Sequence, residues 1–213
     1  MIIPKLHYIA EGKNSKEILK KIQKACTSGA ELIQLNLDTI SKKKFLDVAK
    51  EAREITAYFQ TRLIVKDHYK IAKEVKADGV HFENTDSYSF SVRIHLYTWQ
   101  IVGGTANNLQ ECEALLANEF DYITLSPFKN SSSRDKQTKV LGLAGFSTII
   151  DVLKTETPIL GFGGITTNDV TSILETGISG VVVSEAISTN FDAVKEFNQL
   201  LKASVVDEKR YTF

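Results

Sequence analysis

PILGFGGITTNDVTSILETGISGVVVSEAI, residues 158–187, is the stretch whose reading decides the fold. It reads as an apolar strand running into Gly161-Phe162-Gly163-Gly164, a helix from about Thr167 to Leu174, a second apolar strand from Gly180 to Ser184, and another helix start. A glycine pair lets backbone amides approach a ligand where a side chain would intervene. The helix that follows begins with free N–H groups and the positive end of its dipole, a combination that suits a phosphate. In a (β/α)8 barrel the usual phosphate site is built from the loops after strands seven and eight and the N-terminus of a short extra helix. The stretch therefore predicts an α/β chain folded as a (β/α)8 TIM barrel, with a phosphate site at the C-terminal ends of strands 7 and 8. The plainer reading, in which the glycines only make turns and Val181-Val182-Val183 is only core, stands beside it.

Working outward, the same alternation recurs. Strands are expected at Leu6–Ala10, Glu31–Asn36, from Arg62 to Lys66, at Gly79–Phe82, Leu96–Gly103 and Asp121–Leu125. Between them lie helical patterns. Asn14-Ser15-Lys16-Glu17 resembles an N-cap with an acidic third residue, Lys42–Tyr58 carries an apolar face, a short helix passes through Ile71, Asn108 opens another, and Leu143–Leu153 follows. Glu83–His95 is poorly patterned and is expected to be loop with at most a short helix. Ser126–Val140 is a long polar loop, of the kind that in compact domains is usually functional or mobile. Eight such units, with strands too apolar to have a solvated face, favour a closed parallel barrel. No glycine fingerprint follows the first strand, which weakens a dinucleotide reading.

The 213 residues suit one such barrel, expected over 1–203, with 204–213 as a C-terminal tail. The formal net charge is zero and no long basic or acidic run occurs, so neither a nucleic-acid surface nor a polybasic membrane anchor is expected. No apolar run reaches transmembrane length and no signal-peptide core is seen, which makes a cytoplasmic location the default. Cys26 and Cys112 lack metal spacing and read as reduced core residues. Whether the chain forms homo-oligomers is left open.

In such barrels the chemistry lies at the C-terminal strand ends. The candidates there are Gln34 and Asn36, Lys66 and Asp67, Glu83 and Asp86, Thr105 and Asn107, Ser131, Ser133 and Arg134, and Gly163, Gly164, Val183 and Ser184. Carboxylates from two strands with basic and hydroxyl groups opposite a phosphate end would suit magnesium and a diphosphate. Each residue also has a plainer role. Asp67 could cap the next helix, Asp86 could be solvated, His81 could be a hydrogen-bonded interior histidine, and the loop serines with Arg134 could face solvent.

Taken together, Ile33-Gln34-Leu35, Ala77-Asp78-Gly79-Val80-His81-Phe82 with Asp86, Asp121-Tyr122-Ile123 through Ser126-Pro127-Phe128, Gly163-Gly164-Ile165 and Gly177–Ser184 resemble the thiamine-phosphate synthase and thiazole tautomerase superfamily. In its synthases an aminopyrimidine diphosphate loses pyrophosphate and the thiazole phosphate nitrogen captures the pyrimidinylmethyl cation. The resemblance implies Mg2+ on Asp67 and Asp86, a pyrimidine contact from Gln34, and Thr105, where a serine is usual, near the diphosphate. It places Ser131 and Ser133 at two substrate-binding threonines, Arg134 at a pyrophosphate-binding lysine, and Gly164, Val183 and Ser184 at the thiazole phosphate.

The departures are specific. Asn36 stands where the family has arginine and Asp38 where it has lysine, while Lys66 replaces an asparagine and His68 an arginine. Lys66 or Lys129 is expected to supply part of the missing positive charge. The tautomerase branch has a histidine where this chain has Asn107, and an amide cannot serve as a general base. The synthase reading is therefore preferred. A tautomerase using His81 or Glu83, and a barrel that binds phosphate without catalysis, are the alternatives.

Overall fold

A computed structural model describes residues 2–37, 41–83, 90–130 and 139–210, with the side chains of all of these except 90–91 and 203–210. Eight parallel strands close into a barrel in sequence order: β1 (Leu6–Ala10), β2 (Leu32–Leu35), β3 (Arg62–Lys66), β4 (Gly79–Phe82), β5 (Ile101–Ala106), β6 (Tyr122–Leu125), β7 (Ile159–Phe162) and β8 (Gly180–Val183). The closing pair β1–β8 is in register through Leu6 with Val181 and Tyr8 with Val183. The helices are α1 (Ser15–Thr27), α2 (Lys42–Tyr58), α3 (Tyr69–Glu74), α4 (Leu109–Ala117), α5 (Gly142–Leu153), α6 (Val170–Glu175), α7 (Glu185–Thr189) and α8 (Ala193–Arg210). Helix α8 continues through Arg210, into the segment read as a tail.

Alternation along each strand divides the core in two. Ile9, Leu32, Ile64, Ile101, Tyr122, Leu160 and Val182 fill the barrel, whereas Tyr8, Ile33, Val65, Val80, Val102, Ile123, Val181 and Val183 pack outward against the helices. Burial of this double layer is the main stabilising term, because both faces of every strand leave water. Local signals start the helices: Asn14 accepts from the Glu17 amide at 3.0 Å, Ser41 from Lys44 at 3.5 Å, and Asn108 from Glu111 at 2.9 Å. At the N-terminal face Asp78 accepts from the Leu63 amide at 2.8 Å and from Arg53 at 2.8 Å, while Asp121 accepts from the Val102 amide at 2.6 Å and from Arg93 at 2.9 Å. These two aspartates brace the strand starts.

Strand β5 lies later than the sequence suggests. The 3-10 turn Phe90–His95 and a Tyr97–Gln100 turn precede it, and Gln100 donates to the Ala72 and Ala77 carbonyls at 3.1 and 2.8 Å. Thr105 is consequently within the strand rather than beyond it.

Candidate active site

A cavity of about 400 Å³ opens at the C-terminal ends of the strands. Gln34 and Asn36, Lys66, His81 and Glu83, Thr105 and Thr124 line it from β2 through β6. Gly163 and Gly164, Val182 and Ser184 complete the ring, with Glu11 beside Ser184 and Glu185 opening α7.

The glycine pair has a definite backbone reason. Gly163 and Gly164 have φ of 109° and 63°, the left-handed region that glycine enters without penalty. A Cβ on Gly163 would lie 3.0 Å from both Pro127 Cα and the Phe128 amide, because the chain leaving β6 runs alongside. Phe128 and Lys129 donate to the Phe162 and Gly163 carbonyls at 2.7 and 3.0 Å. The carbonyls are thus taken by the β6 loop while both glycines border the cavity. Thr166 and Asp169 form a capping box that starts the helical turn beyond them. Opposite, α7 follows β8 directly, held by a 2.9 Å bond between Tyr8 and Ser188. Its N-cap Ser184 and first residues Glu185 and Ala186 line the cavity, and the first N–H groups of a helix have no intrahelical partner.

The floor is a buried polar network. Gln34 Nε2 lies 3.1 Å from His7 Nδ1 and 3.4 Å from the Tyr122 hydroxyl, which is 3.0 Å from His81 Nδ1; His81 Nε2 is 2.9 Å from Thr105 Oγ1. Burial pushes the His7 pKa down to about 3 and raises that of Tyr122 well above its usual value, so both are neutral. His81 is therefore the hydrogen-bonded interior histidine of its plainer reading, with both ring nitrogens engaged. Thr124 Oγ1 and Asn36 Oδ1 are buried and have no partner among the described residues, and both residues face the cavity.

The expected site residues divide accordingly. Gln34, Asn36, Lys66, Thr105, Gly163, Gly164 and Ser184 converge on the cavity. Asn107 is not among the residues that line it; its backbone and side-chain nitrogens donate to Glu111 at 2.7 and 3.1 Å. Val183 turns its side chain into the outer core and is not among the residues that line the cavity, although its neighbours Val182 and Ser184 are. Asp67 does not cap α3: His68 occupies that position, and Asp67 Oδ1 instead accepts from the Glu83 amide across the β3–β4 rim at 3.0 Å. Lys66 meets Glu83 at 3.7 Å. Lys129 reaches Asp169 at 2.6 Å, away from the floor. Asp86, Ser131, Ser133 and Arg134, with Asp38, lie outside the described residues. Sequence reasoning missed His7, Tyr122 and Thr124 on the floor and Glu11 and Glu185 at the rim; a polar aromatic inside an apolar strand, beside a glycine on the neighbouring strand, was the signal for Tyr122.

Residues 6–187 match the family described as thiamine monophosphate synthase. Thiamine-phosphate synthase of Flavobacterium johnsoniae is 30% identical over 95% of this chain and 98% of its own. That of Flavobacterium psychrophilum is 33% identical over 93% of this chain and 98% of its own. Among solved structures, thiamine phosphate pyrophosphorylase from Pyrococcus furiosus superposes with a TM-score of 0.78 at 22% identity, covering 93% of this chain and 96% of that one. The last likeness speaks for the fold.

Proposed function

Since the chain belongs to the thiamine monophosphate synthase family, we propose that it is a transferase joining an aminopyrimidine diphosphate to a thiazole phosphate with release of pyrophosphate. The observation that carries this reading is the convergence of Gln34, Thr105 and the Gly163-Gly164 turn on one cavity. One end offers a neutral polar floor to a heteroaromatic ring, and the other offers backbone amides and a helix start to a phosphate.

In the reaction the methylene C–O bond breaks, pyrophosphate leaves with both electrons, and the thiazole nitrogen lone pair forms the new C–N bond. The protein's part is to align the two substrates and to offset the charge on the leaving group. Gln34 orients the pyrimidine, Thr105 meets the diphosphate, and Gly164, Val183 and Ser184 hold the thiazole phosphate through backbone amides. Lys66 supplies positive charge at the cavity wall, and Arg134, with Ser131 and Ser133, is assigned to the pyrophosphate.

Magnesium fits the residue chemistry. Asp67 is a hard oxygen donor at the strand rim, turned away from the helix it precedes. Among the described residues no three His, Cys, Asp or Glu side chains form a metal cluster. A magnesium ion would then rest on Asp67, Asp86 and substrate oxygens, the ligand set this ion ordinarily accepts, and would neutralise charge on the departing diphosphate. The test is the double variant Asp67→Ala, Asp86→Ala: transfer should fall by about 10² or more, and unchanged turnover would rule out the proposed metal pair.

A cytoplasmic location belongs to the same proposal, supported by the absence, among the described residues, of a helix long and apolar enough to cross a membrane.

A further inference from the structure

We propose that Tyr122 and His81 are positioning residues whose hydrogen bonds fix the Thr105 hydroxyl as a donor to the bound diphosphate. The inference deepens the transferase reading and rests on it for the identity of the ligand. It follows from the direction in which protons can lie along the buried network.

The amide nitrogen of Gln34 can only donate, and its two neighbours are His7 Nδ1 at 3.1 Å and the Tyr122 oxygen at 3.4 Å. Tyr122 thus receives a hydrogen bond from Gln34. Its own proton is left for the other neighbour, His81 Nδ1, at 3.0 Å. A neutral imidazole that accepts at Nδ1 carries its proton on Nε2. That nitrogen faces Thr105 Oγ1 at 2.9 Å, so Thr105 accepts from His81 and its hydroxyl proton is available on the cavity side. With Gln34 Nε2 occupied on both sides, the Gln34 carbonyl oxygen is the part of that side chain left for a ligand.

The floor therefore presents an acceptor at Gln34 and a donor at Thr105. Thr105 is 3% exposed, and burial removes competing water from the network. A reversed chain would be equally connected but chemically opposite. If the Gln34 oxygen faced Tyr122, protons would run from Thr105 to His81 to Tyr122, and Thr105 would offer only lone pairs to an anion.

Nitrogen NMR of histidine-labelled protein, with His81 assigned through His81→Gln, distinguishes the two directions without a catalytic readout. The wild type should hold the Nε2–H tautomer; the Nδ1–H tautomer would overturn the proposal. Calorimetric titration with magnesium and inorganic pyrophosphate then tests the consequence. Thr105→Val should weaken binding about tenfold, Thr105→Ser should stay within about threefold of wild type, and Tyr122→Phe should weaken it about tenfold while leaving Thr105 in place. Wild-type affinity in both Thr105→Val and Tyr122→Phe would also overturn the proposal. Should Tyr122→Phe fail to fold, the tautomer and the Thr105 pair decide. A protein that binds pyrophosphate in this Thr105-dependent way but makes no thiamine phosphate would remove the transferase reading and leave the relay standing.

Discussion

His7 is the residue at which the barrel interior departs most from an apolar core. It is fully buried beneath Gln34 and in edge contact with Tyr122, with ring centroids 4.9 Å apart. Burial lowers its pKa from 6.5 to about 3. The sign of the resulting pH dependence is fixed. At a pH below 6.5 the unfolded chain takes up a proton that the folded chain refuses, so stability is complete above that value and is lost as pH falls toward 3. In chemical denaturation from pH 7 downward, the His7 contribution should decline by up to about 1.4 kcal/mol per pH unit in that window. His7→Gln, which cannot titrate, should flatten this part of the profile. An unchanged slope in the variant would show that another group controls it.

At the scale of elements, the glycine turn and the capping box after β7 border the cavity at the proposed phosphate end. Gly163→Ala places a Cβ at φ 109° against Pro127 and Phe128. It should cost about 1–3 kcal/mol of stability and weaken thiazole phosphate binding, read by calorimetry beside thermal denaturation. Asp169 holds the Thr166 amide at 3.0 Å and the Lys129 ammonium at 2.6 Å. Burial alone would raise its pKa, but the bonds from Lys129 and Thr166 outweigh that and lower it. Its stabilisation is therefore present above the ordinary carboxylate range and lost as pH falls through it. Asp169→Ala should cost about 1 kcal/mol as a lost cap and remove that part of the acid sensitivity, measured by denaturation at neutral and acid pH. Much of this level is legible in the sequence, because caps and apolar periodicity are local: Asn14 and Asn108 start their helices as read, and the second helix spans Lys42–Tyr58 as read. Strand β5, expected to end at Gly103, continues through Gly104 to Ala106. The missing side chains of Gly103 and Gly104 make room, for the Tyr122 ring inside the barrel and for Leu115 and Phe120 outside it. Such a cause is long-range, and one sequence cannot display it.

For the whole molecule, order and spacing of the βα units were enough to specify the barrel, and a cavity lined by residues at the C-terminal strand ends lies where the site was expected. The polar floor was not legible, since His7, Gln34, Tyr122, His81 and Thr105 come from five different strands and meet only on closure. Charge at the cavity was also hard to read: Glu11, Glu83 and Glu185 face it with Lys66, so the described lining is more acidic than a diphosphate alone would select. With such a lining the proposed transfer needs added positive charge, which the proposal assigns to magnesium and Arg134. The most direct measurement is an assay of purified protein with aminopyrimidine diphosphate, thiazole phosphate and magnesium, following thiamine phosphate and pyrophosphate together. Equal amounts of both products are expected, with loss of both when magnesium is chelated. Binding of thiazole phosphate with no formation of either product would contradict the proposed transfer.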